Sequence, residues 1–209
     1  IGLHVKDAKT GEYILFNGNM IDMKRIERNK YLNELISLRN NGMIKVITGM
    51  RRCGKSFLLF ELFTSYLKES GVDSDHIIVV DLEDYKNKAL RNPDNLYSYV
   101  ESRIVDEGLY YILLDEVQML EEFVDVLNGF LKMRNTDVYV TGSNAKFLSK
   151  DIATEFRGRG FEIKMYPLSF KEYMSAYSGS VTTAFNEYML YGGLPQILMY
   201  ETEQQKVKY

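Results

Sequence analysis

The chain has 209 residues, of which 45% are hydrophobic and 26% are charged, and its formal net charge is −3. These values are typical of a globular protein with one sizeable domain and a small addition. The negative charge argues against a protein whose main role is to wrap nucleic acid, although a local basic patch remains compatible with it.

The sequence also limits the cellular setting. Its single cysteine, Cys53, excludes an intramolecular disulfide and favours a reducing environment. No apolar run approaches the roughly 20 residues of a transmembrane helix. The stretch Ile1–Lys6 lacks the apolar core of a signal peptide. We therefore expect a cytoplasmic protein without a membrane partner.

Residues 1–22 form an N-terminal extension of unclear origin. They are polar except for the patch 13–16, which predicts a short strand followed by a turn. Residues 23–40 have the apolar periodicity of a helix, and Asn41-Gly42 would end it. This helix either packs on the sheet or closes over a bound base, as segments in this position often do.

Residues 43–56 hold the most specific motif of the chain. Gly49–Ser56 fits the phosphate-binding pattern G-x-x-x-x-G-K-[ST], between a β-branched strand and an apolar helix. Gly49 and Gly54 let backbone N–H groups approach phosphate oxygens closely. Lys55 would contact the β- and γ-phosphates, and the Ser56 hydroxyl would ligate Mg²⁺. The flanking strand and helix argue against a mere glycine turn with a stray lysine.

The whole loop supplies the candidate nucleotide-binding residues. Cys53 lies beside Lys55, where a thiolate would be favoured. We interpret Cys53 as a small loop residue, with a redox switch as the less favoured alternative. The candidate residues are Gly49, Met50, Arg51, Arg52, Cys53, Gly54, Lys55, Ser56 and Phe57.

Two further strands are predicted, over 76–82 and 110–116, and the second of them carries a second motif. The second of these strands is apolar and ends in the acid pair Asp115-Glu116. Asp115 would hold Mg²⁺, directly or through water, and Glu116 would orient and deprotonate an attacking water. An acid pair after a strand can also be a solvated turn, but a phosphate loop upstream makes that alternative weak. The intervening strand and Glu116 together indicate the branch of phosphate-loop proteins that uses a catalytic glutamate.

Two later segments offer polar and cationic candidates. The predicted strand 137–144 ends in Ser143 and Asn144, where an amide could position the attacking water or could merely cap the next helix. Arg157 and Arg159 lie between glycines, as expected of a mobile loop that supplies an arginine to the γ-phosphate. Surface arginines in a turn are an equally good interpretation of this segment.

The last part of the chain has a helical pattern. We predict helices over 168–177 and 181–191, a break at Tyr191–Pro195, and a further helix from about Gln196. The predicted organisation is an extension over 1–22, an ATPase core over 23–167, and a helical lid, or the start of a longer C-terminal region, over 168–209.

Together these motifs resemble those of a large group of prokaryotic AAA-type ATPases, many of which carry a C-terminal domain of unknown function. The resemblance covers roughly 23–209. The segments that carry it are 44–56, Leu113–Gln118, Val140–Asn144, Phe156–Arg159, Pro167–Phe170 and Tyr191–Pro195.

The resemblance implies an α/β, three-layer P-loop fold of the ASCE type, with a five-stranded parallel sheet in the order 5-1-4-3-2. It implies phosphate and Mg²⁺ contacts for Lys55 and Ser56, Mg²⁺ binding by Asp115, and a catalytic base at Glu116. Asn144 or Ser143 would be a polar sensor, and Arg157 or Arg159 would be an arginine finger or a sensor.

The sequence therefore predicts an enzyme that hydrolyses ATP with Mg²⁺ and couples its nucleotide state to motion of its C-terminal part. The expected partners are ATP and ADP, together with a second copy of the chain or another protein. One alternative is a nucleotide-gated switch or scaffold with negligible hydrolysis that needs a partner or a further domain. A phosphotransferase is disfavoured because small-molecule kinases generally lack the Asp-Glu pair. Adenine is favoured by the resemblance, and no Asn-Lys-x-Asp guanine motif occurs.

Overall fold

The computed structural model describes residues 4–6, 13–15, 26–142, 156, 158–200 and 202–209, with backbone alone for 4–6 and 13–15. The described residues of 28–166 form one compact unit. The described residues of 1–27 and 167–209 group into a second. The predicted divisions at 22/23 and 167/168 remain predictions.

The core unit is built on a five-stranded parallel sheet. Its strands are β3 (Ile44–Gly49), β4 (Ile77–Asp81), β5 (Tyr110–Asp115), β6 (Thr136–Gly142) and β7 (Gly160–Met165). A two-stranded antiparallel hairpin, β1 (His4–Lys6) and β2 (Tyr13–Leu15), precedes them and belongs to the other unit.

The order across the sheet is β4-β5-β6-β3-β7. Read from the other edge, this is the predicted order 5-1-4-3-2, so the predicted fold class is confirmed. All neighbouring strands pair in parallel. The interior strand β5 is buried along its whole length, as expected of a parallel strand that helices cover on both faces. Because every strand runs the same way, the residues after β3 and β5 lie at one edge of the sheet.

Helices cover both faces of this sheet. They are α1 (Asn29–Ser37), α2 (residues 55–69), α3 (Pro93–Arg103) and α4 (Phe123–Phe130). Helix α2 consists of an α-helical turn at Lys55–Phe57, a π-helical segment at Leu58–Phe63 and a second α-helical segment at Thr64–Glu69. The predicted helix 23–40 is thus shorter than expected, since its described part begins at Asn29. Short 3₁₀ turns span Ser74–His76, Tyr85–Arg91 and Val117–Met119.

Successive side chains of each strand point to opposite faces of the sheet, so the core has one layer on each face. Ile112 and Val140 pack in one apolar cluster with Leu96 of α3 and Leu127 of α4. The alternate side chains Tyr111 and Tyr139 face the other way, and their rings lie 6.5 and 4.6 Å from that of Phe63 in α2. This α/β/α arrangement holds the loop between β3 and α2 at the carboxyl edge of the sheet.

The second unit contains α5 (Phe170–Ala176), α6 (Val181–Tyr191), a 3₁₀ turn Pro195–Met199 and α7 (Glu203–Lys208). Its small core consists of Leu168, Tyr173, Ala184 and Ile197. The predicted break at Tyr191–Pro195 occurs, and α6 ends at Gly192 with a φ of 82°. In the part of the chain that is described, no helix is both long and apolar enough to cross a membrane.

Candidate functional site

The loop between β3 and α2 has a backbone that two glycines make possible. Gly49 ends β3 with a φ of 153°, and a Cβ atom there would lie 2.3 Å from the carbonyl oxygen of Met165 in the neighbouring strand. Gly54 has a φ of 101° and immediately precedes the first turn of α2. A side chain at Gly49 would push the loop away from β7, and one at Gly54 would be strained.

Lys55 is the most buried cation of this loop, with a side chain that is 3% exposed. Its Nζ atom donates to the carbonyl oxygens of Met50 at 3.2 Å and Gly49 at 3.4 Å. It also lies 4.0 Å from Glu116 Oε1. The ammonium group therefore lies inside the loop and beside the second acid of the Asp115-Glu116 pair.

Ser56 and Asp115 meet although 59 positions separate them in the sequence. The Ser56 hydroxyl donates to Asp115 Oδ2 at 2.7 Å. Asp115 Oδ1 accepts a hydrogen bond from the hydroxyl of Thr141, the penultimate residue of β6. Burial raises the pKa of Asp115 to about 6, and the nearby charges of Glu116 and Asp81 also raise it, whereas the two hydroxyl donors oppose the shift.

Glu116 is held by its backbone as well as by its side chain. It has a φ of 51°, and its N–H donates to Thr141 Oγ1 at 3.0 Å. One carboxylate oxygen accepts a hydrogen bond from the Gln118 side-chain amide. The carbonyl oxygen of that amide is buried, and the described residues offer it no hydrogen-bond partner. The Glu116 carboxylate thus lies between an amide and Lys55.

The remaining candidates of the loop have different environments. Met50, Arg51 and Arg52 are exposed, Phe57 is half-buried, and Arg51 forms a surface ion pair with Glu83 at 2.9 Å. Cys53 is fully buried. The expectation that its thiolate is favoured is wrong: burial raises the pKa of Cys53, and the charges of Lys55 and Arg28 only partly oppose this rise. Its environment is that of a small packed residue.

Among the predicted sensor and finger residues, the structure describes Arg159, which does not join this cluster. Ser143, Asn144 and Arg157 lie outside the described residues. Arg159 is exposed and immediately precedes β7, and its carbonyl oxygen accepts from the N–H of Ile44 at the start of β3. The phosphate-binding loop follows the other end of β3, roughly 17 Å away at about 3.3 Å per residue. Arg159 is therefore at the opposite edge of the sheet from Lys55 of the same chain.

Three residues of the site were missed by the sequence analysis: Thr141, Gln118 and Arg28. Thr141 could have been found because it lies near the end of the strand next to β5, where its hydroxyl faces the acids. Gln118 lies two residues after Glu116, at the end of the segment Leu113–Gln118 that resembles the family. Arg28 carried no signal, since its contact with the loop depends on how α1 packs.

Mg²⁺ prefers oxygen ligands and is usually held by one or two protein oxygens together with phosphates and water. Ser56 Oγ and Asp115 Oδ2 are two such oxygens, adjacent at 2.7 Å and next to the loop. The residues present therefore fit this ion.

Comparison with known proteins agrees with this arrangement. A family model described as an AAA domain matches residues 41–174. An uncharacterized protein of Haemophilus influenzae is 36% identical over an alignment of 180 residues, which covers 83% of this chain and 45% of that protein. An uncharacterized protein of Methanocaldococcus jannaschii is 30% identical, over 92% of this chain and 45% of its own length. The chain thus spans less than half the length of these two relatives.

The fold is also that of solved structures. The Saccharomyces cerevisiae Hsp104-ADP complex aligns with a TM-score of 0.57 over 84% of this chain and 30% of that chain, at 14% identity. An identity this low shows a common fold alone. The family model covers more than half of the chain and includes both motifs of the site. The chain therefore belongs to the AAA-type P-loop ATPase family.

Proposed function

We propose that this chain is a Mg²⁺-dependent ATPase that hydrolyses the β–γ bond of ATP. The observation that carries the proposal is the convergence of four side chains from two distant motifs. Ser56 Oγ lies 2.7 Å from Asp115 Oδ2, and Lys55 Nζ lies 4.0 Å from Glu116 Oε1. Phosphate-binding and acid–base groups are thereby close enough to act on one substrate.

Nucleotide binding would use the loop and its lysine. The N–H groups of Gly49–Ser56 and the positive end of α2 attract phosphate oxygens. Lys55 donates to the carbonyl oxygens of Met50 and Gly49, and these neutral acceptors are weaker partners than a phosphate. When ATP binds, the β- and γ-phosphates would replace these carbonyl oxygens as the acceptors of Lys55, and its positive charge would then stabilise the phosphates.

Ser56 and Asp115 would hold Mg²⁺, which neutralises developing charge on the phosphates when it is bound. Glu116 would accept a proton from the attacking water. Its left-handed backbone and its bond to Thr141 direct it away from the strand, so that its carboxylate is beside Lys55 and not in the sheet.

We also propose that the nucleotide state of the loop is coupled to motion of the C-terminal part of the chain. Because Lys55 lies near Glu116, loss of the γ-phosphate changes the partners of both side chains. We expect such a change to favour different conformations of the chain in its ATP and ADP states.

The second candidate is a switch that binds ATP but hydrolyses it negligibly by itself. One observation favours it: the Glu116 carboxylate is already engaged by Gln118 and is close to Lys55. A partner protein or a second copy of the chain would then be needed to free it. Arg159, at the far edge of the sheet, could reach a γ-phosphate only in another subunit.

Phosphate release from Mg²⁺-ATP, measured over a range of protein concentrations, separates the two candidates. An ATPase releases phosphate, and Glu116→Gln abolishes the release while retaining ATP binding by calorimetry. A rise of specific activity with concentration supports a finger supplied by another subunit. Tight ATP binding without phosphate release at any concentration would favour the switch. Absence of ATP binding would overturn both.

A further inference from the structure

Arg28 lies beneath the phosphate-binding loop although it is distant from it in sequence. It immediately precedes α1, and its carbonyl oxygen accepts from the N–H groups of Tyr31 and Leu32. The residue is almost completely buried, with 3% of its surface exposed. Its φ of 47° is in the left-handed region, which is unfavourable for a residue with a side chain. A buried cation on a strained backbone requires strong compensating contacts.

The guanidinium makes two such contacts to main-chain oxygens. Nη1 donates to the carbonyl oxygen of Cys53 at 3.0 Å, inside the loop, and Nη2 donates to the carbonyl oxygen of Tyr166, just after β7. The same group lies over the ring of Tyr31, at 4.9 Å from its centroid. The Tyr31 hydroxyl in turn accepts from the N–H of Tyr166 at 3.1 Å. The loop, β7 and α1 are therefore joined through one planar cation.

We propose that Arg28 is a positioning residue that sets the orientation of the Cys53–Gly54 peptide for phosphate binding. This proposal rests on the nucleotide-binding role proposed for the loop. The carbonyl of Cys53 and the N–H of Gly54 belong to one planar trans peptide and point in opposite directions. Because Arg28 holds the carbonyl toward the protein interior, the Gly54 N–H points outward, where a phosphate would approach the start of α2.

The geometry of Arg28, and not its charge alone, provides this constraint. A guanidinium has donors in a fixed fork and can bond two carbonyl oxygens at once, whereas a lysine ammonium is a single point charge. A lysine at this position would keep the positive potential beneath the loop but would not hold both the Cys53 and the Tyr166 carbonyl in place.

The test is calorimetric binding of Mg²⁺-ADP to wild type and three variants, with thermal unfolding of each protein without nucleotide. Arg28→Met removes the donors and keeps an unbranched side chain. Arg28→Lys keeps the charge. Tyr31→Phe is the matched control, since it removes the bond to the Tyr166 N–H but leaves the bond to Cys53 intact.

We expect Arg28→Met to weaken ADP binding about tenfold, the usual effect of losing a hydrogen bond to a charged group. Arg28→Lys should weaken it about threefold or more. Tyr31→Phe should stay within about twofold of wild type, even if its unfolding temperature falls as far as that of Arg28→Met. Arg28→Lys serves as the test if Arg28→Met does not fold.

Wild-type affinity in folded Arg28→Met, or in Arg28→Lys, would overturn the proposal, and so would an equal loss of affinity in Tyr31→Phe. Because the measurement is ADP binding, the outcome is independent of hydrolysis. A wild-type protein that binds ADP but releases no phosphate from ATP would contradict the proposed ATPase activity and leave the role of Arg28 standing. Failure of the wild type to bind ADP would overturn both.

Discussion

The Nζ atom of Lys55 lies 4.0 Å from Oε1 of Glu116, so the lysine of the phosphate-binding loop and the acid that follows β5 form an ion pair between the two motifs. Both side chains are largely buried, at 3% and 12% exposed. Each residue thus compensates the charge of the other, and removing either one should have effects beyond the loss of the role proposed for it in ATP hydrolysis.

Glu116→Gln should retain ATP binding and lose turnover. The amide has the same shape but cannot accept a proton from water, and loss of a general base commonly lowers the rate by about 10²–10⁴-fold. Phosphate release measures the rate and calorimetry the affinity. Glu121→Gln, on the exposed surface nearby, is the matched control and should leave both unchanged. Normal turnover in Glu116→Gln would remove Glu116 from the role of base.

Lys55→Ala should abolish measurable binding of both ATP and ADP. It removes the cation expected to contact the phosphates. The partly buried Glu116 carboxylate, which has lost its partner at 4.0 Å, would then also repel an incoming phosphate. Calorimetry with each nucleotide measures the effect, and Lys68→Ala, an exposed lysine of α2, is the control. Retention of wild-type affinity in Lys55→Ala would contradict the assigned role of the loop.

Asp115→Asn should stabilise the nucleotide-free protein at neutral pH. The pKa of Asp115 is about 6 in the folded protein and 3.8 in its ordinary state, so the folded protein binds more protons between these values. Stability therefore falls as pH rises from about 4 to 6, by up to about 3 kcal/mol. The asparagine variant lacks this penalty.

Thermal unfolding in the presence of a chelator measures this effect, because Mg²⁺ bound to the wild type would stabilise it and hide the difference. The variant should unfold at a higher temperature than wild type at pH 7.5, and the gap should shrink at pH 4.5. A gap that is independent of pH would show that the ionisation of Asp115 is not its cause.

Thr141→Val should destabilise the protein and disturb both acids. The Thr141 hydroxyl donates to Asp115 and accepts from the N–H of Glu116, so valine leaves two buried polar groups without this partner. We expect a loss of about 1–3 kcal/mol in the free energy of unfolding, measured by denaturant titration. Thr141→Ser keeps the hydroxyl and should lose less. Equal losses in both variants would assign the effect to packing of the methyl group.

Arg159→Ala should affect only activity that depends on protein concentration. Within one chain Arg159 lies at the edge of the sheet opposite the loop, so it can act on a γ-phosphate only in a second subunit. Arginine fingers contribute about 10³–10⁵-fold to turnover, and even a partial contribution should be clear in phosphate release at high protein concentration. Arg134→Ala, an exposed arginine that precedes β6 at the same edge, is the matched control. Equal activity of Arg159→Ala and wild type at every concentration would exclude this role.

Local patterns were sufficient for most of the fold. The strands and the loop were predicted from the apolar runs that became β3 and β5, from Gly49 and Gly54, and from the acid pair Asp115-Glu116. The fold class was implied by the family resemblance that these motifs carry. These features depend on near neighbours in the chain: a strand needs a continuous apolar run, and a phosphate loop needs glycines at fixed spacing. The helix before β3 was predicted too long because its apolar periodicity has no sharp start, whereas α1 begins at the backbone turn of Arg28.

The chemistry of individual side chains depended on distant contacts. The sequence placed a cysteine beside a lysine and so predicted a favoured thiolate, but packing of Cys53 against β7 desolvates the thiol and raises its pKa. The bond between Ser56 and Asp115, the support of both acids by Thr141, and the contact of Arg28 with the loop all join residues at least 25 positions apart. By itself the sequence therefore determined which groups could bind a nucleotide, because residue type and spacing set that capacity. Only the tertiary structure decided which groups meet, since strand order and helix packing fix those distances.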